Sequence, residues 1–366
     1  MRFHELKRVQ CAGLTTDTSY DGSGRALWVQ DKTPSDDLEV CFPLGKGAYS
    51  NVYQVKLLEE GSPECAVALK IFKCDSRFAD CALAEAAYLE RVSGALKKDI
   101  LSNVLGFLEA VNLNGHVGLL LETAKTDMYS HQKKVFEAAA SGSEYDQFPL
   151  DRLAVDLYSG LCVLHHEGIT HGDLKPENVL ICERQGVKLA VIADLGSARE
   201  ASKTRTDGFE VSPWYRAPEI FCRGHIGTSS DVWAAACVLY EYAFGVPLFC
   251  VTRGSWARTK RESSALYKAH CTLLGLPPSD YLIGSPGVHD APRRLPSCYT
   301  LRHEDEVNLR LAQDNFTKFP DFSSILVSCL VWRPQERSDA VTAQVAAQSL
   351  GHEGSSLRAA IAPPSQ

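Results

Sequence analysis

The sequence has no excess of positive charge. Over 366 residues the formal net charge is −7. No basic field is present to hold a nucleic-acid backbone, so no nucleic-acid partner is expected. No Cys-x-x-Cys pair occurs among the 13 cysteines, and their odd number argues against a closed disulfide framework. They are expected as free, mostly buried thiols in a reducing compartment, cytoplasmic and/or nuclear. No ligand spacing for a structural metal is found. The first residues, MRFHELKRVQ, lack an apolar run, so no secretory leader is expected. Long apolar runs are missing as well. The most apolar stretch, 232–251, contains Glu241 and is broken by Gly245 and Pro247, which fits a buried helix rather than a membrane span. No internal repeat occurs.

What remains is an ordinary globular composition, 45% hydrophobic and 23% charged. The length suits two lobes better than one small core. Residues 1–37, rich in Gly, Ser, Thr and Asp, are expected as a partly disordered extension with one strand at 26–30. From Leu38 the pattern becomes strand-like. NVYQVKLL (51–58) and CAVALKIF (65–72) are β-rich runs flanking a turn. CALAEAAYLERV (81–92) reads as a helix with Leu83, Ala86, Leu89 and Val92 at helical spacing, and 115–123 returns to strand. A short link near 122–128 is followed by a loosely ordered segment at 132–148. Then comes a helix at 150–168 with Leu150, Leu153, Leu157, Leu161 and Leu164 on one face. The rest is mainly helical, and the last residues are expected to be disordered. A cleft between a β-rich and a helical lobe is a natural ligand site.

LGKGAYSNVY (44–53) joins two of these strands. Gly45 and Gly47 would let backbone amides approach a phosphate. Taken alone, the pair is read as readily as a plain hairpin turn. Lys70 lies in an otherwise apolar strand. It is either a solvated edge residue or a ligand for α- and β-phosphates, and the second role needs a carboxylate to orient it. Glu85 and Glu90 both lie on the following helix. Glu85 is the better partner, because Leu89 and Val92 then fall on the inward face.

The stretch HGDLKPENVL (171–180) concentrates the chemistry. Asp173 is suited to accept a hydroxyl proton, Lys175 to neutralise a transferring phosphoryl group, and Asn178 to offer a carbonyl oxygen to Mg²⁺. Asp194, at a strand end before a turn, would supply a second metal contact. Each alone could be a surface turn residue. Their joint order, after a glycine loop and a strand lysine, points to phosphoryl transfer.

These motifs resemble the eukaryotic protein kinase family from Leu38 to Ala343. GKGAYSNV resembles the glycine-rich loop, VALK the lysine strand, HGDLKPEN the catalytic loop, DLG the Mg²⁺ motif, and APE (217–219) the end of the activation segment. The resemblance implies an α+β, bilobal fold with a small β-rich N-lobe at 38–124, a larger helical C-lobe at 125–346, and a disordered tail at 347–366. It implies ATP and Mg²⁺ as cofactors. Leu44, Val52, Ala68 and Leu180 would line the adenine slot, with Leu121 at its back, Glu122 to Ala124 as the hinge and Asp127 on the ribose. Asp231 would brace the catalytic loop, and Arg337 would pair with Glu219. PWYRAPE and CTLLGLPPSDYL are similar to the group of cyclin-dependent, MAP, dual-specificity tyrosine-regulated and Clk-type kinases, called CMGC. DLG with Leu195 resembles the SR-protein kinases. DLKPEN resembles the serine/threonine version of the loop. Protein substrates follow from the resemblance, a regulatory partner is left open, and no membrane partner is expected. By analogy with proline-directed relatives, Arg216 would satisfy the backbone of the activation segment, so that proline is tolerated after the acceptor.

Two other readings fit parts of the pattern. HGDL followed by asparagine also matches aminoglycoside- and choline-kinase-like enzymes, although Lys175, WYRAPE, Asp231, Trp233 and Arg337 belong to a protein-substrate platform. A pseudokinase scaffold would have lost the counterpart of Lys70, Asp173 or Asp194, and none is lost. The departures concern regulation. Gly172 replaces the arginine that senses an activation-loop phosphate, and Phe209 and Pro213 replace a tyrosine–arginine pair. An arginine beside Asp173 is a costly partly buried charge unless an anion pairs with it. Glycine removes both the charge and that need, so competence without loop phosphorylation is expected. Asp207 lies near the usual phosphothreonine position, and Ser202, Thr204 and Thr206 would be modulatory. Arg199 or Arg205 could alternatively replace the missing arginine.

Overall fold

The computed structural model describes residues 38–47, 49–57, 65–73, 76–96, 102–113, 116–202, 211–223, 225–250, 260–278 and 303–350. The strand expected at 26–30, the turn at 59–64, Thr204 to Phe209 and the residues after 350 lie outside them. The described residues form two compact units. One comprises 38–96 and Leu105–Ala124; the other comprises 102–104 and the described residues from Lys125 onward.

In the first unit, β-branched and apolar residues build an antiparallel sheet. Its strands are β1 (Leu38–Lys46), β2 (Ser50–Leu57), β3 (Cys65–Phe72), β4 (Phe107–Leu113) and β5 (His116–Leu121). They are ordered β1-β2-β3-β5-β4. Helix α1 (Ser76–Leu96) follows β3 and packs on β4 and β5. Val55, Leu69, Ala86, Leu89, Leu119 and Leu120 are buried within this unit. Each fully buried valine or leucine among them contributes roughly 1.5–3 kcal/mol.

The second unit begins with β6 (Thr126–Asp127) and α2 (Met128–Ser141). Here the sequence reading needs correction, since 132–141 is helical rather than loosely ordered. QKKVFEAAAS shows no continuous apolar stripe, but Ala, Gln, Lys and Glu are strong helix formers. Both ends are capped: Asp127 accepts the Ser130 N–H at 2.8 Å, and Gly142 closes the C-terminus at φ 68°. Helix α3 (Leu150–His166) carries the leucine face read from the sequence, and Leu150, Leu153, Leu157, Leu161 and Leu164 are all buried.

Short β7 (Ile169–Thr170), β8 (Val179–Arg184), β9 (Val187–Ile192) and β10 (Arg199–Glu200) follow. They form a β6-β8-β9 sheet and a β7-β10 pair. Then come α4 (Pro218–Arg223), α5 (Thr228–Phe244), α6 (Lys260–Leu274), α7 (His303–Lys318), α8 (Pro320–Cys329) and α9 (Ala340–Gln348). Leu350 is also buried, so ordered chain extends past 346, where the tail was expected to begin. The apolar run from 232 forms most of α5, buried from Ser230 to Ala243. Among the described residues, no helix is long and apolar enough to cross a membrane. The described cysteines are free thiols, most of them buried or half-buried.

Segment 102–104 edges β9. Asn103 accepts the Ile192 N–H at 2.8 Å and donates its side-chain amide to the Ala190 carbonyl at 2.9 Å. This approach depends on Gly160 in α3, where a Cβ would stand 2.4 Å from the Asn103 carbonyl oxygen. Asp156 accepts the Ala190 N–H on the same strand. The end of β9, which leads into Asp194, is thereby fixed.

Candidate active site

In the first unit, strand register places the candidate residues in rows. Gly45 pairs with Val52, Val52 with Lys70, and Lys70 with Leu119. Two positions along, Gln54 pairs with Ala68 and Ala68 with Leu121. Directly paired residues share a sheet face, so Val52, Ala68, Lys70 and Leu121 lie on one side. The loop between β1 and β2 closes through the Gly47 N–H on the Ser50 carbonyl at 2.8 Å, and Leu44 before it is exposed. Lys70 Nζ donates to both oxygens of Glu85 at 2.8 Å. Glu85 is buried with Leu89 and Val92, whereas Glu90 is exposed. Just past β5, Glu122 exchanges bonds with Gly106: its N–H goes to the Gly106 carbonyl, and its carboxylate accepts the Gly106 N–H. Glu122 and Ala124 are both half-buried.

In the second unit, Asp127 and Leu180 pair across β6 and β8. One Asp127 oxygen caps α2, a duty the sequence did not reveal. The loop 171–178 is held from several sides. Buried His171 accepts the Asp173 N–H on Nδ1 at 3.2 Å, so its proton sits on Nε2, which donates to the Ala193 carbonyl at 3.0 Å. The Ala193 N–H in turn donates to the Asn178 carbonyl at 2.9 Å. These bonds bring Asn178 beside the residue that precedes Asp194. Asp194 is exposed and left-handed, at φ 63° and ψ 74°. Such a conformation costs energy outside glycine and is tolerated best by Asn and Asp.

Asp173 receives two donors. Lys175 Nζ lies 2.5 Å from Oδ2, and the Ser212 N–H lies 2.9 Å from Oδ1. Lys175 also reaches the Ser212 hydroxyl at 3.5 Å. Asn178 donates its side-chain amide to the Asp173 carbonyl at 2.8 Å. This leaves the amide oxygen as the group it can offer a cation. The oxygens of Asn178 and Asp194 suit a hard, oxygen-seeking ion such as Mg²⁺, which keeps most of its shell for water and phosphate. No cluster of three or more His, Cys, Asp or Glu able to hold a metal occurs among the described residues. Ser212 and His171 were missed by the sequence reading. Their only signal was nearness in sequence, one to PWYRAPE and the other to the candidate acid Asp173.

Helix α5 supports this loop from below. Asp231 accepts the His171 N–H at 2.8 Å and the Gly172 N–H at 3.0 Å, and His165 Nε2 also lies 3.0 Å from its Oδ2. Arg337 makes a fully buried two-pronged pair with Glu219, at 2.7 and 3.0 Å. Tyr215 donates to Glu241 at 2.6 Å. Burial pushes the Glu241 carboxyl from its ordinary 4.5 up to about 7.

In that window the folded chain retains a proton that the unfolded chain has released, so stability falls as pH rises from about 4.5 through about 7. Glu241→Gln keeps an acceptor for Tyr215 and removes the ionisation. Its melting temperature relative to wild type should therefore rise between about pH 5 and about pH 8. A gap that stays constant across that range refutes the account.

The protein kinase domain family model matches residues 38–349. The chain belongs to the protein kinase family. The rat serine/threonine-protein kinase MAK is 30% identical over 304 residues, covering 81% of this chain and 43% of the relative. Homeodomain-interacting protein kinase 1 of Caenorhabditis elegans is 31% identical over 215 residues, covering 58% and 24%. Human dual specificity tyrosine-phosphorylation-regulated kinase 3 is 29% identical over 266 residues, covering 68% and 41%. These relatives are CMGC kinases, the group its motifs resemble. The chain spans less than half the length of these relatives. Members of the family use ATP, in general with Mg²⁺, and act on protein substrates.

Proposed function

We propose that this domain transfers the γ-phosphoryl group of ATP to serine and threonine hydroxyls of proteins, in the cytoplasm or nucleus. Residues 38–124 would act as the nucleotide-holding lobe and 125–346 as the acceptor-side lobe. The observation that carries the reading is the complete charged set. Lys70 is locked on Glu85, and Asp173 is paired with Lys175 in a loop that also fixes Asn178 near the residue before Asp194.

In this reading Lys70, oriented by Glu85, holds the α- and β-phosphates. Backbone amides at Gly45 and Gly47 cover them. Leu44, Val52, Ala68, Leu121 and Leu180 enclose the adenine, Glu122 and Ala124 supply backbone groups to its edge, and Asp127 takes the ribose. Asn178 and Asp194 would hold Mg²⁺, which when bound neutralises phosphate charge. Asp173 orients the acceptor hydroxyl and takes its proton. A carboxylate has about four acceptor positions, so the contacts to Lys175 and Ser212 leave room for that hydroxyl. Lys175 balances charge on the moving phosphoryl group. Catalysis is then mainly positioning and charge stabilisation. The test is incubation of the purified domain with Mg²⁺·ATP and a degenerate serine/threonine peptide library. Absence of peptide phosphorylation, or transfer only to choline or an aminoglycoside, refutes the proposal.

The same library checks the acceptor context. Buried Arg216 donates to the Val211 carbonyl at 2.7 Å. A backbone already satisfied from within does not need an N–H from the residue after the acceptor, and proline lacks one. Proline should therefore be enriched at that position. A profile dominated by acidic or basic residues without proline would reject it.

A further inference from the structure

Gly172 has a left-handed backbone, at φ +81°. A Cβ built on it would lie 2.8 Å from the Ser197 carbonyl oxygen and 3.7 Å from Arg199 Nε. The first distance is not tolerated against backbone, so one of the two segments would have to move. Both are stitched in place nearby. Thr170 pairs with Arg199 and Ile169 with Glu200 across β7 and β10. The Gly172 N–H is bound to Asp231, and Ser197 ends the turn that starts just after Asp194. Gly172 directly precedes Asp173, and Ser197 follows Asp194 by three residues. Widening at this contact would act on the two segments that carry these acids.

We infer that Gly172 is a positioning residue: its missing side chain lets the loop carrying Asp173 close onto the turn after Asp194, and this backbone contact sets the spacing of the two acids. Two physical effects coincide at one position. A left-handed backbone is free of cost only for glycine, and the approach leaves no room for a Cβ. Arginine at 172 would thus bring a Cβ into this contact as well as a charge left without an anion. The inference rests on the reaction proposed above.

Gly168 provides the matched control. It is also left-handed, at φ +67°, but a Cβ there meets nothing within 4 Å. In the full chain, Gly172→Ala should lower kcat at least ~10-fold, about 1.4 kcal/mol of transition-state stabilisation, with KM for ATP little changed. Gly168→Ala carries a similar backbone cost and should keep kcat near wild type. Gly172→Asn is the second variant, since asparagine accepts the left-handed region and retains the clash; it should show the same loss. Gly172→Arg should remain low whether its activation segment is bare or phosphorylated, while the wild type stays active after phosphatase treatment. Amide hydrogen exchange gives a readout free of turnover: peptides covering 195–200 should exchange faster in Gly172→Ala than in wild type or Gly168→Ala. Wild-type kcat in Gly172→Ala, an equal loss in Gly168→Ala, or recovery of Gly172→Arg on phosphorylation overturns the inference. If the wild type transfers no phosphoryl group, the proposed reaction fails instead. The exchange comparison then decides alone, and unchanged protection at 195–200 overturns it.

Discussion

Asp194→Ala abolishes Mg²⁺·ATP turnover in the expected outcome, and Asp173→Asn lowers kcat by at least ~10²-fold, as loss of a positioned general base does. Both residues sit where removal of charge leaves no buried hole. Asp194 is exposed at the end of β9, and Asp173 keeps an amide oxygen for the Ser212 N–H after substitution. Alanine at φ 63° adds a backbone cost of roughly 1–2 kcal/mol. Asp194→Asn avoids most of that cost and serves as the companion variant. Single-turnover phosphoryl transfer at saturating peptide, with circular dichroism to confirm folding, measures the effect. Wild-type turnover in Asp173→Asn or in either Asp194 variant would refute the site assignment.

The largest expected loss of stability is at Arg337. Its guanidinium, with Glu219, is fully buried. It donates further to the Ser229 and Val331 carbonyls and lies 5.1 Å over the Trp233 ring. Arg337→Ala strands a buried carboxylate and takes a donor from two carbonyls, which costs about 3–5 kcal/mol. Removing both charges, as Arg337→Met with Glu219→Gln, should cost less than the single change, because no uncompensated charge remains. Urea unfolding of the two variants beside wild type tests this. A loss under about 1 kcal/mol for Arg337→Ala, or a double variant worse than the single one, contradicts the account.

The candidate site was legible where the proposed function restricts residue type. Phosphate handling needs lysine, carboxylates and a carboxamide, and HGDLKPEN, VALK and DLG present them in order. Helix α3 was legible because leucines at helical spacing have one packing solution. The polar helix α2 was not, because its order comes from its caps and from intrinsic propensity rather than from an apolar stripe. Ser212 and His165 escaped notice for a different reason. Their partners, Asp173 and Asp231, are remote in sequence, and nothing in the local pattern around a serine or histidine encodes a hydrogen bond formed only after the chain has folded back. Gly172 was legible as a departure, but its reason was not. The sequence suggested a missing charge, while the structure adds a left-handed backbone and a carbonyl at contact distance.

Helix α5 supplies no atom to the acceptor or the nucleotide in the proposed reaction. Yet Asp231, Trp233 and Glu241, from one 17-residue segment, anchor the 171–178 loop, the Arg337 guanidinium and the Tyr215 hydroxyl. In a saturation scan scored by activity, intolerance should therefore run along this buried rod as densely as along HGDLKPEN. A map built from activity alone would draw the active centre too large. Scoring the same library for abundance would separate the two, because charge-removing variants of Asp194 keep the protein and lose the reaction, whereas most variants facing the interior of α5 lose both.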